Sequence, residues 1–273
     1  SRFMRDFLTK EGIDVRYVDT TDPEKAKNWE DASLIWIETP TNPLLKITDI
    51  SKIKKLAPQA ILVVDNTFMS PKFQNPLDFG ADIVMHSSTK YIGGHSDVLG
   101  GAAITNNKDL NSRLRKVQND TGSVPSPFDC YLLIRGIKTL SIRMDKHEKN
   151  ARFIAEKLSN NKNVEKVYWP GLKSHHGHEV HSSQSKGYGG MVSFRLSKDV
   201  NLEKFSSGRK YWTLAESLGG VESLLCVPFK MTHSSIEEKI RLEKGITKNL
   251  IRLSCGIEDH NDLWEDLEEG LGG

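Results

Sequence analysis

Through the first half of the chain, apolar runs alternate with segments whose apolar positions recur at helical spacing. Ser33–Ile37, Ala60–Val64, Ile83–Met85 and Ala102–Thr105 read as strands, while Asp49–Leu56 carries a helical pattern. Strands separated by helical patterns predict βαβ units and a largely parallel sheet. A long helical pattern follows from Ser126 to about Ser159, with Ile134, Ile137, Leu140 and Met144 three and four residues apart. Such an element is long enough to bridge two domains. Beyond it, strand patterns (Val164–Trp169, Met191–Leu196, Leu250–Ser254) mix with helical ones (about Ile236–Glu243 and Asp262–Leu271), which predicts α+β. The expected organisation is an α/β unit over residues 1–141 and a smaller α+β unit over 142–273. No repeat or low-complexity segment interrupts it.

Composition narrows the classes of function. A net charge of +2, with acids and bases interspersed, gives no basic run to track a nucleic-acid backbone. No apolar stretch approaches the roughly 20 residues of a membrane span, so no membrane partner is expected. Ser1–Asp6 lacks an apolar h-region, and three widely spaced cysteines (Cys130, Cys226, Cys255) fit reduced core thiols. Both lead to the expectation of a cytoplasmic protein, in which the sequon Asn119-Asp120-Thr121 is accidental.

The strongest chemical signal is His86-Ser87-Ser88-Thr89-Lys90-Tyr91-Ile92-Gly93-Gly94-His95-Ser96-Asp97. It sets one lysine between two hydroxyl residues and a glycine pair, directly after an apolar run. A lysine in that setting suits an amine held against a bound aldehyde, with the Ser87 and Thr89 hydroxyls near a phosphate. Strand-end capping is the other use for those hydroxyls. Upstream, Ile61-Leu62-Val63-Val64-Asp65 is a strand ending in a carboxylate. Pyridoxal phosphate needs that pair: a Schiff-base lysine and an acid facing the pyridinium nitrogen. Alone, Asp65 reads more readily as a helix-capping loop carboxylate. Arg252 interrupts the apolar strand Leu250–Ser254, where a guanidinium needs a partner. A substrate α-carboxylate and a structural ion pair are the two candidates.

Five ordered segments then resemble the Cys/Met-metabolism branch of pyridoxal-phosphate enzymes. They are Trp36-Ile37-Glu38-Thr39-Pro40-Thr41-Asn42-Pro43, Val64-Asp65-Asn66-Thr67-Phe68, Ser87-Ser88-Thr89-Lys90-Tyr91, Thr213-Leu214-Ala215-Glu216-Ser217-Leu218-Gly219-Gly220 and Met231-Thr232-His233. The resemblance runs over essentially the whole chain. It implies a fold-type I transferase-like α/β architecture, with residues 1–141 as the C-terminal part of the large cofactor-binding domain and 142–273 as the small domain. It implies pyridoxal 5′-phosphate as cofactor, Lys90 as the catalytic lysine, Asp65 at the ring nitrogen, and Ser87 and Thr89 at the phosphate. It places the Glu38–Asn42 loop over the 3-hydroxyl face, where the Asn42 amide bonds the phenolate oxygen and Glu38 contributes or simply holds the loop. Arg252 then binds the substrate carboxylate, and Arg2 matches a substrate-binding arginine by position. Glu216, with Ser217 beside it, suits the distal ammonium of cystathionine, since a carboxylate is rarely buried in an apolar run without purpose.

The reaction so implied is γ-elimination of L-cystathionine to L-cysteine, 2-oxobutyrate and ammonia, a transsulfuration step toward cysteine. The γ-synthase and β-lyase reactions are the alternatives within the family. The family assembles as homotetramers, dimers of dimers with shared active sites. Its pattern also has a further stretch upstream that supplies a phosphate loop and a tyrosine stacked on the ring. The chain is therefore expected to be a fragment or processed product, and an inactive homologue that only folds or pairs with a full-length copy is the alternative of another class. His175, His176, His178 and His181 are the one metal-like cluster, but no cysteine or carboxylate accompanies them at zinc spacing. They are expected to lie in a solvated loop, with no metal.

Overall fold

A computed structural model describes residues 7–24, 29, 31–232, 234 and 236–272. In the first sheet β1 (Leu34–Glu38), β2 (Ile61–Asp65) and β3 (Ile83–Ser87) run parallel, and β4 (Gly101–Ile104) closes the edge antiparallel to β3. Ile35, Ile37, Leu62, Val64 and Val84 pack together with Ile50 and Ile53 of helix α1 (Ile50–Leu56). Asp49 caps that helix by accepting from Lys52 N at 2.9 Å. Alternate residues of these strands feed one core, so their carboxyl ends, with Glu38, Asp65 and Ser87, line up along one edge. The short helix α2 (Ser70–Phe73) follows β2 and brings Phe73 into the seam between the sheets.

The long helical pattern is two helices. After α3 (Lys108–Thr121), α4 (Pro127–Lys138) ends at Thr139 and α5 (Leu140–Ser159) begins immediately. The apolar stripe divides with them: Ile134 and Ile137 of α4 are exposed, whereas Leu140 and Met144 are buried. Helix α5 passes from the first sheet to the second. Leu140 and Met144 join Leu45, Phe68, Met69, Phe73, Tyr91, Met191 and Leu218 in a cluster between the sheets. Ala151, Ile154, Ala155 and Leu158 belong to the core of the second sheet.

That sheet has five strands in the order β5-β6-β9-β8-β7: β5 (Val164–Tyr168), β6 (Met191–Leu196), β7 (Thr213–Leu214), β8 (Leu224–Cys226) and β9 (Leu250–Ser254). It is antiparallel except for the β7–β8 pair. Helices α6 (His178–Gln184), α7 (Leu202–Ser206), α8 (Glu238–Glu243) and α9 (His260–Leu271) complete it. Every residue of β9 is buried, Arg252 included. Among the described residues, no helix is long and apolar enough to cross a membrane.

The histidine cluster is not a solvated loop. His178 and His181 lie on α6, and His175 and His181 are buried. Their ring nitrogens pair with main-chain carbonyls: His175 Nε2 with Leu45 O at 2.9 Å, His178 Nδ1 with Pro170 O at 2.7 Å, His181 Nε2 with Gly187 O at 2.9 Å. Burial pulls the His181 pKa down to about 4, so it is a neutral packing residue. No group of three potential ligand side chains that could hold a metal ion occurs among the described residues. Of the three cysteines, Cys226 and Cys255 are buried free thiols and Cys130 is half-buried.

Candidate active site

Lys90 sits in a turn, Ser88–Ile92, that directly follows β3. The turn is wound one residue wider than an α-helix: Gly93 N donates to Ser88 O at 2.9 Å, and Lys90 itself departs from helical geometry (φ −94°, ψ −127°). Its side chain is half-buried, and Nζ donates to Ser217 Oγ at 3.2 Å. Burial, and then the positive charge of Arg252, lower the pKa of this amine. The glycine pair serves the protein itself. A side chain at Gly94 (φ +70°) would collide with the Arg143 guanidinium, which donates to Tyr91 O at 2.8 Å, Gly136 O at 2.8 Å and Ile92 O at 3.4 Å. Arg143 was not picked out in the sequence. Its only signal is a cation among buried positions of α5.

Asp65 ends β2 and lies opposite Glu38 in the β1–β2 register. Its Oδ1 accepts from Thr67 N at 3.0 Å, yet burial raises its pKa. Glu38 is pushed up to about 8, first by burial and then by the charge of Asp65. Two half-buried carboxyl groups paired across neighbouring strand ends suit an added cation. Glu38 Oε2 accepts from Asn42 N at 3.3 Å, and Asn42 Oδ1 accepts from Arg252 Nη1 at 3.1 Å. The other Arg252 nitrogen, Nη2, donates to Glu216 O at 2.7 Å and Ser217 O at 3.0 Å. Arg252 is 1% exposed, its Nε has no hydrogen-bond partner, and it forms no salt bridge among the described residues.

Lys90, Ser217, Arg252, Asn42, Glu38 and Asp65 are therefore linked by a chain of hydrogen bonds and strand register. Ser87 joins its edge: its main-chain N donates to Thr67 Oγ1 at 2.8 Å. The Thr89 hydroxyl accepts from Gly100 N at 3.0 Å and donates to Gly100 O at 3.3 Å, tying the lysine turn to the segment leading into β4. The Glu216 carboxylate is exposed, contrary to the burial expected of it; its main chain carries the contact to Arg252. Arg2 and His233 lie outside the described residues. The Glu216–Ser217 segment presses on the lysine turn at Gly219 (φ +79°), where a Cβ would stand 2.8 Å from Tyr91 N. Only glycine allows that approach.

A lysine of lowered pKa, a strand-end carboxyl pair and a buried unpaired arginine, all at the carboxyl edge of an α/β sheet, define a site for an amino acid and a carbonyl cofactor of the pyridoxal type. Comparison with known proteins agrees. The pattern of the Cys/Met metabolism PLP-dependent enzymes matches residues 1–272, and the chain belongs to that family. Its cofactor is pyridoxal 5′-phosphate, and its α/β architecture is of fold-type I. A cystathionine gamma-lyase of Bacillus subtilis (strain 168) is 50% identical over 274 residues, covering 99% of this chain and 72% of the relative. A cystathionine beta-lyase of Lactococcus lactis subsp. cremoris (strain MG1363) is likewise 50% identical over 274 residues, with the same coverage of 99% and 72%. The structure of a cystathionine gamma synthase from Xanthomonas oryzae pv. oryzae in complex with cystathionine superposes with a TM-score of 0.93 at 45% identity, covering 99% of this chain and 71% of that one.

Proposed function

We propose that this protein cleaves the Cγ–S bond of L-cystathionine, giving L-cysteine, 2-oxobutyrate and ammonia. The observation that carries the reading is Arg252: a buried guanidinium with a free Nε and no carboxylate partner among the described residues, within one hydrogen bond of the residue that Lys90 contacts. A buried cation without an anion is costly, and an amino-acid α-carboxylate supplies the anion in planar geometry.

Bound pyridoxal phosphate supplies an aldehyde that condenses with amines and a protonated ring that withdraws electrons from the carbons beside them. Lys90 is the residue that would hold the aldehyde, Asp65 the one that would keep the ring nitrogen protonated. Ser87 and Thr89 would face the phosphate, and Asn42 the phenolic oxygen, with Glu38 bracing Asn42 from below. Once free, Lys90 Nζ takes the proton from the substrate Cα. A half-buried amine of lowered pKa is unprotonated more often than an exposed lysine, as a general base requires. Lys90 would then carry protons between the substrate carbons and to the departing sulfur, with water supplying the oxygen of 2-oxobutyrate. The exposed Glu216 carboxylate would meet the distal ammonium of the substrate, with Ser217 beside it, and Arg2 would be a further contact for the substrate carboxylate. Residues 1–141 serve as part of the cofactor-binding domain and 142–273 as the small domain. A homotetramer is proposed with them; the exposed row Phe128, Tyr131, Ile134 and Ile137 on α4 supports burial against another copy.

The test is product analysis of purified protein given pyridoxal phosphate and L-cystathionine. The proposal expects 2-oxobutyrate and cysteine. Pyruvate with homocysteine would make it a β-lyase, and cystathionine formed from an activated homoserine ester plus cysteine would make it a synthase. A colourless protein giving no product would leave only folding or pairing as its role.

A further inference from the structure

Ser193 and Arg252 face each other as cross-strand partners between β6 and β9, and both reach out of the sheet to the same loop. Arg252 Nη1 donates to Asn42 Oδ1 at 3.1 Å; Ser193 Oγ donates to the carbonyl of the next residue, Pro43, at 2.6 Å. Ser193 is fully buried and interrupts the apolar strand Met191–Leu196. A hydroxyl sealed in a core costs stability unless it is bonded. Its acceptor here lies 150 residues away in sequence, on the opposite sheet's loop.

The surroundings make Pro43 a natural point of control. Its ring leaves it no N–H with which to anchor itself. Asn42 is held at its main-chain N by Glu38 and at its side-chain oxygen by Arg252. Past Pro43, the loop closes on itself through Leu45 N to Thr41 O at 2.8 Å and Lys46 N to Thr41 Oγ1 at 3.0 Å. Ser193 thus supplies the anchor on the carboxyl side of Asn42, just as Glu38 supplies the one on its amide. With the hydroxyl gone, the buried Pro43 carbonyl is left without its donor, and the peptide must turn to find another.

We propose that Ser193 is a positioning residue for the cofactor site: by holding Pro43 it fixes the Asn42 amide between Arg252 and the phenolic oxygen of the cofactor. The inference rests on the assignment of Asn42 to the cofactor made above, and goes beyond it in giving that assignment a mechanical cause in the second sheet.

The experiment is a double-mutant cycle in the holoenzyme with Ser193→Ala and Asn42→Ala, alone and together. Three quantities are read: the thermal midpoint, the dissociation constant for pyridoxal phosphate, and the pH midpoint of the bound cofactor's visible absorption. Ser193→Ala is expected to keep the fold, weaken cofactor binding about five- to thirty-fold, as loss of one buried hydrogen bond does, and move the absorption midpoint. Both effects should vanish in the Asn42→Ala background, because Ser193 acts through Asn42. A lower thermal midpoint with unchanged binding and absorption would overturn the proposal and leave Ser193 a core hydroxyl. Equal effects in both backgrounds would overturn it too. If Asn42→Ala alone changes neither binding nor absorption, the assignment of Asn42 fails, and the positioning role fails with it.

Discussion

Replacing Glu38 by Gln tests the carboxyl pair at the end of β1 and β2 most directly. Gln keeps the oxygen that accepts from Asn42 N and removes only the ability to ionise. In the folded chain Glu38 titrates at about 8, against 4.5 for a free glutamate, because burial and the Asp65 charge disfavour its anion. A folded state that keeps a proton which the unfolded state releases loses stability as pH rises. The contribution is therefore intact below pH 4.5, falls through the range between the two values, and levels off above about 8. At about 1.4 kcal/mol per pH unit the full span has a ceiling near 5 kcal/mol; Glu38 is only half-buried, and screening by water brings the expectation to about 2–3 kcal/mol. Urea denaturation of the cofactor-free protein at pH 4, 6, 8 and 9 checks this. Wild type and E38Q should coincide at pH 4, and E38Q should grow steadily more stable in comparison up to pH 8, then hold constant. A difference independent of pH would refute the reasoning, since it would mean that Glu38 titrates at the same pH in the folded and the unfolded chain.

Two further outcomes follow from the same site. Asp65→Asn keeps the shape of the side chain and its contact with Thr67 but removes the charge available to a protonated ring nitrogen; turnover should fall by two or more orders of magnitude with unchanged circular dichroism, and near-wild-type turnover in cofactor-replete protein would make Asp65 structural only. Arg143→Met takes the guanidinium away from Tyr91 O and Ile92 O in the lysine turn, while Gly136 O keeps Thr139 N and Oγ1 as donors. It should cost about 1–3 kcal/mol in denaturant titration, with Arg143→Lys restoring only part of it because an ammonium cannot span the same acceptors, and full rescue by Lys would show that charge alone matters.

What the sequence disclosed follows from how local each signal is. The strands of the first sheet and the positions of Asp65 and Lys90 at their carboxyl ends were legible because period and punctuation are local. The break at Thr139 was not, since the apolar spacing runs straight through it and Gly136, three residues earlier, lies inside α4 rather than at its end. The histidines were misplaced for a similar reason: Pro170-Gly171 announces a loop, but His175 meets the carbonyl of Leu45, 130 residues away, and His181 meets Gly187 O only once the chain has turned back past α6. Glu216 was expected to be buried from its apolar neighbours, yet β7 is a two-residue edge strand whose side chains face solvent. Arg143 and Ser193 escaped notice because the carbonyls that give them their place at the site, Tyr91 O and Pro43 O, lie 52 and 150 residues away.

The loop between β1 and α1 carries a consequence for how the chain acquires its chemistry. By sequence it belongs to the first sheet, but the second sheet holds it, through Arg252 to Asn42 across 210 residues and Ser193 to Pro43 across 150, while Lys90 finds Ser217 across 127. Closing such long stretches of chain is slow compared with forming the parallel strands themselves. A polypeptide that has folded its first sheet already exposes Lys90 and Asp65 at a strand edge, but nothing yet aims the residues around them. Catalytic geometry is thus the last property the molecule gains as it folds from its N-terminal side, and the first it loses when its C-terminal portion loosens.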